Sequence, residues 1–303
     1  MRKYILVVLL VGAILLLCGC NANKTSEQQK YKRISFESES LDDSLGYLND
    51  DTIIVSDLAE TFSSQIPIYR ISECNISDQQ FQQMLGNLKI AEDPTYPYDD
   101  FMLEGNTIYI NLIDYTDYSR GYFDMTDWEV EELAWEVFNK IPFMEGEYEC
   151  VGIQNKYTCG DKDGEHISRA GVGFCRVLDG VRVVGGETCV LYFDGSGLVE
   201  MSIKMYDYEK IGMMDLIPLT DAKEKLKTPD DFDFEMGEPK SNEVIDTLHV
   251  EQVKLRLINQ YSKGCAILQP IYYFIGTAIH VDTTETDFSS KVIAIPESMT
   301  YEE

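Results

Sequence analysis

Apolar residues recur at helical spacing in three places along the chain, each behind a polar start signal, and strand-length apolar runs follow each of them. Ser77-Asp-Gln-Gln80 precedes Phe81, Met84, Leu85 and Leu88. This is a capping box, in which the Ser oxygen and the Gln side chain satisfy N–H groups left without partners at a helix start; the spacing predicts an amphipathic helix. Thr126-Asp-Trp-Glu129 opens a second helix, with Val130, Leu133, Ala134, Val137, Phe138 and Ile141 on one stripe that can face a sheet. Thr220-Asp-Ala-Lys223 predicts a shorter third helix with Lys at N3, half of the box. Asp follows each cap, where the helix dipole favours negative charge. Strands are predicted at Thr52 to Val55, at Phe101 to Leu103 and Thr107 to Ile113 around Glu104-Gly-Asn106, and then at Tyr148 to Thr158, Ala170 to Val184 and Thr188 to Tyr206. Leu248 to Leu257 and Ala266 to Ile279 follow the third helix, with Pro270 suited to an edge or a strand start. Asp179-Gly180 and Asp194-Gly-Ser-Gly197 supply the turns that hairpins demand. Helices followed by several antiparallel strands predict an α+β fold, helices packed on antiparallel β-sheets, in loosely repeated units at 51–124, 125–210 and 211–303.

The start of the chain follows a different pattern. Met1-Arg-Lys3 is basic, Tyr4 to Cys18 is an unbroken apolar run, and Leu17-Cys-Gly-Cys20 closes it. That is the architecture of a secretory signal peptide. As a helix the run reaches about 22 Å, short of the roughly 30 Å hydrocarbon layer of a membrane span. Its ending resembles the lipobox of bacterial lipoproteins. The resemblance implies that residues 1–19 are a lipoprotein signal peptide, that Cys20 is the diacylated mature N-terminus, and that the protein sits on the extracytoplasmic face of the cell membrane. Residues 20–50 are polar, then acidic and Ser-rich, and read as a lipid-anchored flexible linker.

Charge narrows the partners. The formal net charge is −28, which argues against nucleic acid. It also places membrane contact in the N-terminal lipid, since two acyl chains hold a protein stably. Six cysteines lie beyond the anchor: Cys74, Cys150, Cys159, Cys175, Cys189 and Cys265. A hairpin on Gln154-Asn155 would set Cys150 opposite Cys159 at disulfide distance. The same counting through Asp179-Gly180 sets Cys175 opposite Val184, and disfavours a Cys175–Cys189 bridge unless Gly185-Gly186 folds the strand back.

The chemistry for catalysis is not concentrated anywhere. His166, His249 and His280 are scattered and outside any zinc spacing. Asp161-Lys-Asp-Gly-Glu165 reads as a hairpin turn and not a calcium loop, and Asp230-Asp-Phe-Asp-Phe-Glu235 as a solvated loop. No catalytic residue, metal site or cofactor is predicted.

Gly173-Phe-Cys-Arg-Val-Leu-Asp-Gly-Val-Arg-Val-Val-Gly-Gly186 and Val190-Leu-Tyr-Phe-Asp-Gly-Ser-Gly-Leu-Val199 resemble the hairpin core of PepSY modules. Pro218-Leu-Thr-Asp-Ala-Lys-Glu-Lys-Leu226 and Leu268-Gln-Pro-Ile-Tyr-Tyr-Phe274 resemble the helix and closing strand of such a module. The order is also similar to the YycH/YycI-type extracytoplasmic regulators of a sensor kinase, which differ in their transmembrane anchor, and to clostridial surface lipoproteins. The expectation is a lipid-anchored binding or regulatory module of the cell envelope with a protein or peptide partner and no catalysis. A cell-wall or polysaccharide hydrolase and a propeptide-like inhibitor of a secreted protease are the alternatives.

Overall fold

Helix starts decide where the apolar stripes point, and both complete capping boxes form. In the computed structural model, which describes residues 48, 51–56, 61–90, 101–112, 125–161, 164–186, 188–227, 231–234, 245–259 and 266–296, Ser77 Oγ accepts from the Gln80 N–H at 3.3 Å. Gln80 Oε1 in turn accepts from the Ser77 N–H at 3.0 Å, and α1 (Asp78–Leu88) begins there. Thr126 and Glu129 repeat the exchange at the start of α2 (Asp127–Phe138). The third helix departs from the expectation. α3 (Leu219–Glu224) starts behind Pro218 with no side-chain cap, and Thr220 lies inside its first turn. Lys223 cannot return a hydrogen bond to the cap, whereas the fixed φ of proline suits the entry to a helix.

Fourteen strands are described: β1 (Ile53–Val55), β2 (Gln65–Glu73), β3 (Phe101–Glu104), β4 (Thr107–Asn111), β5 (Glu147–Asp161), β6 (Gly164–Leu178), β7 (Val181–Val184), β8 (Thr188–Asp194), β9 (Gly197–Lys204), β10 (Tyr206–Asp215), β11 (Asp231–Phe234), β12 (Ile245–Ile258), β13 (Gln269–His280) and β14 (Glu285–Ile293). Twelve of them form one mixed sheet in the order β11-β14-β13-β12-β7-β6-β8-β9-β4-β3, with β5 beside β6 and β1 beside β12. β2 and β10 form a separate antiparallel ribbon, tied to the approach of β13 by the Ile71 N–H on the Ala266 carbonyl and the Leu268 N–H on the Tyr69 carbonyl. The architecture is α+β, antiparallel except where β1 and β7 meet β12.

The helix stripes bury against one half of the sheet. Phe81, Met84 and Leu85 of α1 and Val130, Ala134, Val137 and Phe138 of α2 pack on Ile108, Ile110, Val172, Phe174, Leu191, Met201 and Ile203. Phe138 stacks on Phe174 at 4.4 Å and Trp135 meets the same ring edge-on at 4.8 Å. In the other half, the buried Tyr272 donates its hydroxyl to the Ile217 carbonyl at 2.9 Å, holding the segment that leads into α3. Period-two burial along β8 and β9 matches the alternation in their sequences. Asp179 and Gly180 adopt φ of 47° and 77° in the tight β6–β7 turn, and Asp194 Oδ1 accepts from the Ser196 N–H at 2.7 Å in the β8–β9 turn.

Several expectations are corrected. No hairpin forms at Gln154-Asn155: β5 runs on through it, with register shifts next to Gly152 and Asn155, and turns back between Asp161 and Gly164. Gln-Asn lacks the glycine that a two-residue turn favours. Cys150 therefore faces Phe174 and Cys159 faces His166 on one continuous strand, held far apart by about 3.3 Å of rise per residue. Cys150 is a free thiol, and the geometric basis of a Cys150–Cys159 bridge is absent. Gly185-Gly186 do fold the chain back, so that Thr188 faces Cys175 while Cys189 faces Phe174; Cys175 is a free thiol. The acidic run Asp231–Phe234 is a strand, paired with β14. The three units marked off in the sequence share their sheets: β1 pairs with β12, β4 with β9, and β10 spans the 210/211 boundary. The described residues belong to one compact unit. Residues 1–19, Cys20 and the linker lie outside the described residues, except that Leu48 is buried. Among the described residues no helix is long and apolar enough to cross a membrane.

One backbone contact in the sheet admits only glycine. A Cβ on Gly276 would lie 1.9 Å from the His249 carbonyl oxygen, at the bulge where β12 shifts register against β13. Gly276→Ala is expected to cost about 1–3 kcal/mol or more, because a backbone strand must move to make room. Chemical denaturation of the variant measures it; an unchanged midpoint would contradict this packing.

Candidate binding site

The two halves of the large sheet meet through four residues of β7. Val183 leaves the β6 hairpin to pair with Leu257, and Val184 with Ile258, parallel to β12. The Asn259 N–H extends the ladder to the Val184 carbonyl at 2.9 Å. Gly185 then takes a φ of 68°, and a Cβ on Gly186 would come within 2.8 Å of the Asn259 amide. Glycine is what lets the chain turn there and rejoin β6 as β8.

Charged side chains gather at this joint. Val183 is fully buried, so the alternation of β7 sends Arg182 to the other face. Its Nε donates to Glu149 Oε2 at 2.8 Å and a terminal nitrogen donates to Oε1, a two-bond fork that fixes both groups. Arg256 of β12 is half-buried, and its one hydrogen bond goes to the Leu255 carbonyl at 3.4 Å. Lys254 lies two residues back on the same strand. Among the described residues, neither Arg256 nor Lys254 has a carboxylate within ion-pair distance.

The electrostatics follow from that arrangement. Hydrogen bonds from Arg182 hold the Glu149 carboxyl below its ordinary value, and Glu149 raises Arg182 in return. Burial, followed by the charge of Arg182, pushes Arg256 down. Burial also pushes the Cys175 and Cys150 thiols up, away from the thiolate that makes a cysteine a nucleophile. Glu149 forks Arg182 alone, so among the described residues the charges of Arg256 and Lys254 stand without a paired carboxylate. Cationic groups so placed can hold an anion.

The residues singled out in the sequence lie elsewhere. Cys20 is outside the described residues. Cys150 packs against the helix-covered core, and Cys159 sits on β5 opposite His166. His249 lies on β12 opposite Val55 and Thr277; His280 is buried with Nε2 2.9 Å from the Thr286 hydroxyl. No group of three or more metal-ligating side chains occurs among the described residues. Glu149, Arg182 and Arg256 were not singled out. The signal for the two arginines is a cation set between apolar strand positions, in Val181-Arg-Val-Val184 and Lys254-Leu-Arg-Leu257.

No protein-family model matches the chain, and comparison with curated proteins finds no match. Among solved structures, the chain is similar to the Bacillus megaterium YpeB C-terminal domain, at 13% sequence identity and a TM-score of 0.34, over 72% of this chain and 98% of that one.

The Glu149–Arg182 fork makes stability depend on pH. A carboxyl depressed in the folded state contributes stability above its unfolded value, and loses it as pH falls through the folded value. Wild type is therefore expected to be more stable than Glu149→Gln at neutral pH, with the difference shrinking below about 4.5. Denaturant midpoints of the two proteins across that range check it; a difference independent of pH would contradict the assignment.

Proposed function

We propose that the protein is a lipid-anchored, extracytoplasmic binding or regulatory module of the cell envelope, held by acyl chains on Cys20. The PepSY-like reading of the hairpin and helix segments belongs to this proposal. The observation that carries the binding role is the joint between the sheet halves, where among the described residues Arg256 and Lys254 have no carboxylate within ion-pair distance, beside a fixed Glu149–Arg182 pair. Such a surface recognises carboxylates, which suits a protein or peptide partner. The strongly acidic remainder of the chain keeps it from anionic lipid, so the anchor alone provides membrane contact.

Cys20→Ala tests the anchor directly. Wild type is expected in the membrane fraction and labelled by a palmitate analogue, and Cys20→Ala unlabelled. Crosslinking on intact cells then tests the role: a specific envelope partner is expected with wild type and lost with Cys20→Ala. Turnover of an envelope substrate by the purified protein, abolished by a single acid-to-amide change, would replace this reading with a hydrolase.

A further inference from the structure

The register that joins β7 to β12 also sets two arginines side by side. Val183 pairs with Leu257 and Val184 with Ile258, in parallel; one step back along both strands stand Arg182 and Arg256. Val183 and Leu257 are buried, at 0% and 1% exposure, so alternation turns both arginines to the opposite face of the sheet. β7 itself lies along β12 at this point, which makes the pair a feature of the sheet face. Adjacent strands lie about 4.8 Å apart, and like charges placed directly across from each other repel. Arg256 registers this: its basicity is lowered by burial and then by the charge of Arg182.

Among the described residues, Glu149 is the carboxylate that hydrogen-bonds to this pair, and it serves Arg182 alone. Arg256 presents a fork of N–H donors, of which one makes a long bond of 3.4 Å to the Leu255 carbonyl. The Glu149 side chain is 45% exposed and that of Arg182 21%, so the acid is the more accessible member of the ion pair. Another carboxylate taking its place on Arg182 exchanges like bonds for like bonds, and the released Glu149 returns to water. The newcomer gains what Glu149 lacks, hydrogen bonds from Arg256. A carboxylate has two oxygens and about four lone-pair sites, enough to accept from both guanidinium groups at once. Seated there, it also offsets the repulsion between them.

We infer that Arg182 and Arg256 form a clamp for a carboxylate side chain of the partner protein, and that Glu149 occupies half of this clamp until the partner displaces it. The inference rests on the proposed envelope-binding role and gives that role a contact point and a built-in competitor. Glu149 then sets the selectivity. Charge-assisted hydrogen bonds are about twice as strong as neutral ones, so a neutral polar group cannot displace Glu149 from Arg182, whereas an acid can.

The test uses the full chain in detergent micelles, isotope-labelled in its arginine and glutamate side chains, and a fluorescent synthetic peptide of glutamates spaced by serine. A control peptide carries glutamine in place of glutamate. The glutamate peptide is expected to bind and to shift the side-chain resonances of Arg256, Arg182 and Glu149 together as the fork opens; the glutamine peptide is expected not to bind. Arg256→Gln is expected to lower the affinity at least about tenfold, and Glu149→Gln to raise it at least about threefold. Absence of binding by the glutamate peptide overturns the inference. So does binding that leaves the Arg182 and Glu149 resonances in place, a measurement on wild type that makes no assumption about the folding of a variant. Citrate shifting these resonances where the peptide does not would assign the clamp to a free acid, and would overturn the assignment to a partner side chain. An envelope partner captured equally well by wild type and by Arg256→Gln would overturn the inference while leaving the binding role intact. Loss of both the partner and the peptide signal would remove the role as well.

Discussion

Everything that joins the two halves of the large sheet depends on a short parallel pairing, Val183 with Leu257 and Val184 with Ile258. An antiparallel hairpin would ordinarily keep β7 and β8 as one strand along β6. Here the chain leaves that ladder for two residues, contacts β12, and returns at Thr188. Gly185 and Gly186 make the return possible, since the first has a positive φ and the second lies against the Asn259 amide. The β2–β10 ribbon secures the same region from another direction, with the Tyr69 hydroxyl on Asp179. Lys210 of β10 reaches the same carboxylate at 2.7 Å, so the β6–β7 turn is held by both strands of the ribbon.

The joint also explains the placement of charge. Bringing β7 up to β12 sets Arg182 and Arg256 near each other in partly buried positions, an arrangement that desolvation and like-charge repulsion both oppose. Glu149 offsets the cost for Arg182 through its two-bond fork. It forms no hydrogen bond with Arg256, whose basicity is lowered by burial and then by the charge of Arg182.

Features encoded within a few residues were legible in the sequence. Ser77 with Gln80 and Thr126 with Glu129 announce α1 and α2, and Asp179-Gly180 announces its turn, because each partner lies within one turn of chain. Pairings between distant segments were not. β2 contains Pro67 and Arg70 among its apolar residues, and its partner β10 is read only once the chain has folded. Gln154-Asn155 misled because β5 absorbs its extra residues as register shifts and continues. Likewise, Glu149, Arg182 and Arg256 sit on three strands, and no local spacing relates them.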